Sequence, residues 1–182
     1  MNCFGEQWQK VTDLCLKEKS QNPIEILGKL MDLEFYNMKG CEHSVMVGAA
    51  LLTAYANAAK QENLSQTLQR LETVEEFKTG VDCDYWGACE IIRSSRAFWS
   101  IISDRDDLAD KLLMDVANAV GSVGGPRCCK RSAYLAISKI VEFVKNHLGT
   151  KMELTEFVCK YSSQNRDCIL EDCPYNERFI EY

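Results

Sequence analysis

The feature that most limits how this chain can fold is the run from Val45 to Ala59. At about 100° per residue its apolar side chains, among them Val45, Met46, Val47, Leu51, Leu52 and six alanines, surround nearly the whole circumference of a helix. Such a helix has to be enclosed by neighbours, and its alanines let them approach closely. Thr53 and Asn57 interrupt the run, which is also too short to cross hydrocarbon. The remaining chain supplies amphipathic partners. Asn22-Pro23 opens a pattern through Ile24, Ile26, Leu27, Leu30 and Met31, and Leu64, Leu68, Leu71 and Val74 recur at helical spacing after a cap at Asn63 or Ser65. Further stripes run from Trp86 to Ile102, from a cap at Asp104 to Val120, and from about Arg127 to Leu148, with Gly149 as terminator. A short helix is expected over Leu154 to Cys159. No segment shows strand alternation that a helix does not explain. The expectation is an all-α single-domain helical bundle of six or seven helices: a leader over 1–20, a helical core over 21–158 and a cysteine-rich segment over 159–182.

Charge narrows the partners. Lys plus Arg is 21 and Asp plus Glu is 27, a formal net charge of -6. That field opposes nucleic-acid backbones and anionic membranes. The first twenty residues hold no continuous apolar region of the secretory kind, so a cytoplasmic chain is expected. The unusual count is 10 Cys against 2 His. In a reducing compartment a disulfide framework is disfavoured, which leaves metal binding or thiol chemistry to account for the cysteines.

Three cysteines, Cys159, Cys168 and Cys173-Pro174, fall in a segment with little apolar periodicity, where coordinate bonds to a metal would replace missing core contacts. Gly124-Gly125-Pro126-Arg127-Cys128-Cys129-Lys130-Arg131 is the densest signal. Proline at a first helical turn places Cys128 and Cys129 among free amides, with Arg127, Lys130 and Arg131 nearby to favour thiolate or cradle an anion. Adjacent helical residues diverge by about 100°, so one of the two thiols can join the late triad while the other faces a second site. Cys83 and Cys89 flank another short motif, and Cys89 lies beside Arg93 and Arg96 instead of in the apolar stripe. Cys41-Glu42-His43 precedes the buried helix and offers an imidazole and a carboxyl group for proton handling, or a plain helix cap. Cys3 and Cys15 have no partners in spacing.

Together, Glu42-His43, Trp86-Gly87-Ala88-Cys89, the Gly124 to Arg131 motif and the Cys159, Cys168, Cys173-Pro174 group resemble a family known only as a domain of unknown function, found in anaerobic bacteria and archaea and in places joined to radical-SAM proteins. The resemblance spans roughly Leu30 to Asn176, and its pattern carries a second His where this chain has Ser44. It implies anaerobic metal or methyl-group metabolism and a radical-SAM or methyltransferase partner, with no established activity to carry over.

Three functional classes follow. The favoured one is a metal- or iron-sulfur-binding protein, with a cluster or zinc on Cys128 or Cys129 together with Cys159, Cys168 and Cys173, and with Cys83, Cys89 and His43 at a second site. The second is a cysteine-dependent enzyme in which Cys89, Cys128 or Cys129 is the nucleophile. There His43 or Glu42 moves protons, and Arg93, Arg127, Lys130 and Arg131 hold a small anionic substrate. The third is a non-catalytic interaction module.

Overall fold

The computed structural model describes residues 7–34, 36–74 and 89–176. Among them are seven α-helices and no strand: α1 (Gln7–Lys17), α2 (Pro23–Met31), α3 (Glu42–Ala59), α4 (Leu64–Thr73), α5 (Glu90–Ile102), α6 (Asp106–Gly121) and α7 (Cys129–Leu148). The all-helical bundle expected from periodicity is the one observed. Its axis is α3, buried from Glu42 to Ala56 and packed against α1, α2, α4, α5 and α7. Small residues set the approach distances. A β-carbon on Gly48 would stand 3.0 Å from Leu71 Cδ1, so α4 lies as close to α3 as glycine permits.

Local chemistry explains most boundaries. Asn22 is extended, its side chain accepts the Ile24 amide at 3.0 Å, and Pro23 follows at the first helical position. Gly149 ends α7 in the left-handed region at φ 74 and donates its amide to Lys145 O at 3.2 Å. Ser94 Oγ donates to Ser44 O at 2.5 Å and joins α5 to α3, while Trp99 Nε1 donates to Arg105 O at 2.8 Å and holds the α5–α6 turn. Asp104 does not cap α6; Arg105 occupies that place without a side-chain bond. The described part of the fifth helix begins at Glu90, and Trp86, Gly87 and Ala88 lie outside the described residues.

Two segments depart from the sequence reading. The stretch called a leader contains α1, which buries Trp8, Val11 and Cys15 and packs on α3, α4 and α2. Cys15 is a core thiol, pushed up to about 11 by burial. The helix expected over Leu154 to Cys159 does not form; after Gly149 the chain is irregular apart from one-turn 3-10 helices at Ser162–Gln164 and Leu170–Asp172. Ordinary packing holds it down. Tyr134 of α7 lies against Phe157 with ring centroids 3.7 Å apart and against Tyr175 at 5.3 Å. Glu153 N donates to Gln21 O at 2.9 Å, Asn22 Nδ2 to Thr155 Oγ1 at 2.8 Å, and Cys159 N to Tyr175 O at 2.8 Å.

If α1 belongs to the core, Trp8→Ala should lower unfolding free energy by about 3 kcal/mol, read from the denaturant midpoint at unchanged slope. A change below about 0.5 kcal/mol, the range of ordinary surface substitutions, would place α1 outside the cooperative unit.

Candidate functional site: a thiol-lined cavity beside a caged lysine

The start of α7 fans four consecutive side chains in different directions. Cys128 is the residue before the first helical position and Cys129 occupies that position, so Pro126 stands outside the helix and not in its first turn. Cys128 faces a partly enclosed cavity that Cys159, Cys168 and Cys173 also line, with Lys130, Arg131, Tyr134, Tyr161, Asn165 and Tyr175 in its wall. Cys129 is not in that wall; it packs on the core and acts electrostatically on Tyr36 and Lys130. The expected divergence of the two thiols is therefore present. The room inside is narrow, enough for a water or a few substrate atoms.

Every cavity sulfur has a donor near it. Asn165 Nδ2 lies 3.5 Å from Cys128 Sγ, and Leu170 N donates to Cys168 Sγ at 3.4 Å. The amides of Tyr161 and Tyr175 serve Cys159 and Cys173 in the same way. In all three late cysteines the donor is the amide two residues on, a local turn repeated three times. Burial nevertheless outweighs these bonds at Cys159 and Cys173 and pushes both thiols up, with Arg131 pulling the other way at Cys173.

These facts correct the metal reading. Among the described residues no group of three or more His, Cys, Asp or Glu could hold a metal ion. The cluster or zinc expected on Cys128 or Cys129 with Cys159, Cys168 and Cys173 is thereby overturned, and Cys83 lies outside the described residues. The sulfurs border a space without converging on a point, whereas thiolates about 2.3 Å from one zinc ion must crowd together. Ligand thiols must also give up their protons, which burial opposes at Cys159 and Cys173. The reasoning that a coordinate bond must replace absent core contacts fails for a simple reason: Tyr134, Phe157 and Tyr175 supply those contacts.

Lys130 points inward, with 1% of its surface exposed. Its ammonium donates to Asn37 O at 3.0 Å and Met38 O at 2.6 Å, and stands 3.1 Å from His43 Nε2. The Tyr36 and Tyr161 rings lie 4.4 and 5.5 Å from it, centroid to nitrogen. With Nε2 facing an ammonium, the imidazole proton belongs on Nδ1, which donates to Gly40 O at 3.0 Å. Burial, reinforced by the Lys130 charge, lowers His43 to about 3, and burial lowers Lys130 to about 8. Glu42 Oε1 is 3.9 Å from His43 Nδ1 and is buried without a hydrogen-bond partner. The Glu42 carboxyl group also lies over Gly40, where a β-carbon would collide with its Oε2.

The other expected site residues stand elsewhere. Cys89 precedes α5 and packs against the core outside the cavity wall. Arg93 spends its guanidinium on both Glu90 oxygens at 3.3 Å, and Arg96 bonds Asp110 at 2.6 Å. Arg127 is exposed and outside the wall. Arg131 is buried and donates through Nη2 to Pro126 O at 2.7 Å. Asn165 and the aromatic trio escaped sequence reasoning; the recurring Cys-x-Tyr spacing at 159 and 173 was the one visible trace of them.

The model for DUF5714, a family of unknown function, matches residues 11–176. The chain belongs to that family. The match starts inside α1 and ends just beyond Tyr175, so it takes in both the core helix and the thiol cavity. No curated protein and no solved structure matches the chain. Among the described residues no helix is long and apolar enough to cross a membrane.

His43 and Lys130 both hold protons less firmly in the folded chain than in the unfolded one, so stability rises with pH across each interval: from about 3 to 6.5 for His43 and from about 8 to 10.5 for Lys130. On acidification from pH 6.5 to 3 the His43 contribution lost is of the order of 4 kcal/mol. Denaturant unfolding at stepped pH should show this acid limb, and His43→Gln should flatten it. An identical limb in the variant would assign the loss to carboxylates instead.

Proposed function

We propose that this DUF5714 protein is a thiol-dependent enzyme in which Cys128 attacks a small anionic substrate at the cavity bordered by Cys159, Cys168 and Cys173. The single observation that carries the reading is the meeting of one thiol from the start of α7 with three from the C-terminal segment around one cavity beside Arg131. Cys128 precedes a helix of 20 residues, whose first amides lack intrahelical partners and whose dipole favours negative charge on a sulfur there. Asn165 adds a side-chain donor. Arg131, anchored on Pro126 O, brings a fixed positive charge to the wall and lowers the cost of an anion at Cys173.

This reading gives the nucleophile's place to Cys128, ahead of Cys89, and reassigns His43 and Glu42. Neither lines the cavity. Their part is to fix Lys130 and the 37–40 turn behind it, which keeps the first turn of α7 in place. A cytoplasmic location belongs to the same proposal, since unpaired thiols persist in a reducing compartment. A radical-SAM or methyltransferase partner remains part of it only through the family resemblance.

Competitive alkylation under native conditions tests the proposal. Cys128 should be the first cavity thiol labelled, and its ratio of iodoacetate to iodoacetamide reactivity should exceed that of free glutathione. Arg131→Gln should lower this ratio roughly threefold or more while Arg131→Lys retains most of it, as removal of a nearby charge requires. Slow labelling of all four thiols, or a ratio indifferent to Arg131, would overturn the reading.

A further inference from the structure

We infer that Cys128 and Cys168 form a redox couple that closes to a disulfide by exchange with an anionic disulfide of low molecular mass. The inference rests on Cys128 as nucleophile and adds the second thiol, the reaction class and the substrate class.

Two contacts bring the two thiols' segments together, and a local turn supplies a donor to the Cys168 sulfur. Gly125 has φ 92, and a β-carbon there would stand 2.8 Å from Ile169 Cγ2, so the turn before Cys128 lies directly on the residue after Cys168. Asn165 spans the pair. Its Nδ2 reaches Cys128 Sγ at 3.5 Å, its backbone carbonyl accepts the Cys168 amide at 3.0 Å, and its Oδ1 accepts the Asp167 amide at 3.2 Å, an arrangement that keeps the amide nitrogen turned to the sulfur. Leu170 shapes the local turn at Cys168. It is a non-glycine residue at φ 47, a left-handed conformation that a branched side chain takes at a cost, and its side chain is 54% exposed, so its own burial does not offset that cost. What the strained turn achieves is an amide placed on Cys168 Sγ at 3.4 Å.

The neighbouring thiols suit the role less well. Burial pushes the Cys159 and Cys173 thiols up, and a thiol that yields its proton less readily attacks a disulfide more slowly. Cys173 is also buried, whereas Cys168 is half-buried beside an exposed one-turn helix.

The exchange balances without any further oxidant. The Cys128 thiolate attacks one sulfur of R–S–S–R, forming Cys128–S–S–R and releasing R–S⁻. Cys168 then loses its proton and attacks the Cys128 sulfur, forming the intramolecular disulfide and releasing the second R–S⁻. The two released thiolates take up the two protons that the protein thiols gave up. Two protein thiols are oxidised, one substrate disulfide is reduced to two thiols, and an external dithiol reverses the cycle. Arg131 in the wall selects for carboxylates on R.

The reduced full-length protein is treated with oxidised glutathione, then alkylated and mapped by non-reducing peptide mass spectrometry. The expected product is a Cys128–Cys168 linkage. Cys168→Ser should accumulate the glutathione mixed disulfide at Cys128 by roughly tenfold over the native chain, because the resolving step is gone. Cystamine, a cationic disulfide, should react more slowly. A linkage of Cys128 to Cys159 or Cys173, or no linkage in the native chain, overturns the couple whatever the variant does. Cystamine reacting as fast as oxidised glutathione overturns the substrate class. If Cys128 still labels first with iodoacetate while no linkage forms, this inference alone falls; if Cys128 is also inert to alkylation, the thiol-enzyme reading falls with it.

Discussion

The candidate site depends on one aromatic cluster, in which Tyr134 lies against the Phe157 ring and meets Tyr175 edge-on. Tyr134 has no exposed surface, and its hydroxyl donates to Met31 Sδ at 3.7 Å, so the ring that anchors the C-terminal segment is itself fixed by α2. The segment from 150 to 176 has no long helix with which to bury an apolar face. Its irregular backbone is stable where Met152, Phe157, Tyr161 and Tyr175 find the core, and where Cys159 N closes on Tyr175 O. Aromatic side chains combine large burial with defined geometry, which suits them to this task. Three of the four cavity thiols are carried on the segment so held.

The second constraint is electrostatic. Lys130 places a cation where water is excluded and surrounds it with two carbonyls, an imidazole nitrogen and two ring faces. Burying an ammonium is costly unless its donors are all satisfied, and here they are. The cage fixes the turn at 37–40 against α7 and requires a neutral His43, so the lysine, the histidine and Gly40 form one unit with little freedom to shift. Cys128, extended at the residue before the helix, lines the cavity, while Cys129 opens the helix and packs on the core beside this inward lysine.

Much of the bundle was legible before any coordinates. The all-round apolar surface of α3, the Asn22-Pro23 start of α2 and the Gly149 stop of α7 each arise from interactions within a few residues, and those survive in any packed context. The misreadings share a different origin. Asp104 resembles a cap only until Arg105 is seen in the place, and α1 resembles a leader because Trp8, Val11 and Cys15 show their worth only once α3 covers them. The metal reading failed because spacing counts sulfurs and says nothing of how far apart they finish, and because the contacts that made a metal unnecessary join α7 to residues far along the chain.

By itself the amino-acid order determined the helices from α2 to α7 and several of their ends, since these follow from backbone period and nearest-neighbour chemistry. Tertiary structure alone decided which thiol would join the late cysteines, that they would ring a cavity without closing on an ion, and that Arg131 and the caged Lys130 would both border it. Those outcomes depend on volumes filled and charges desolvated between segments distant in sequence, quantities that come into being only when the chain packs.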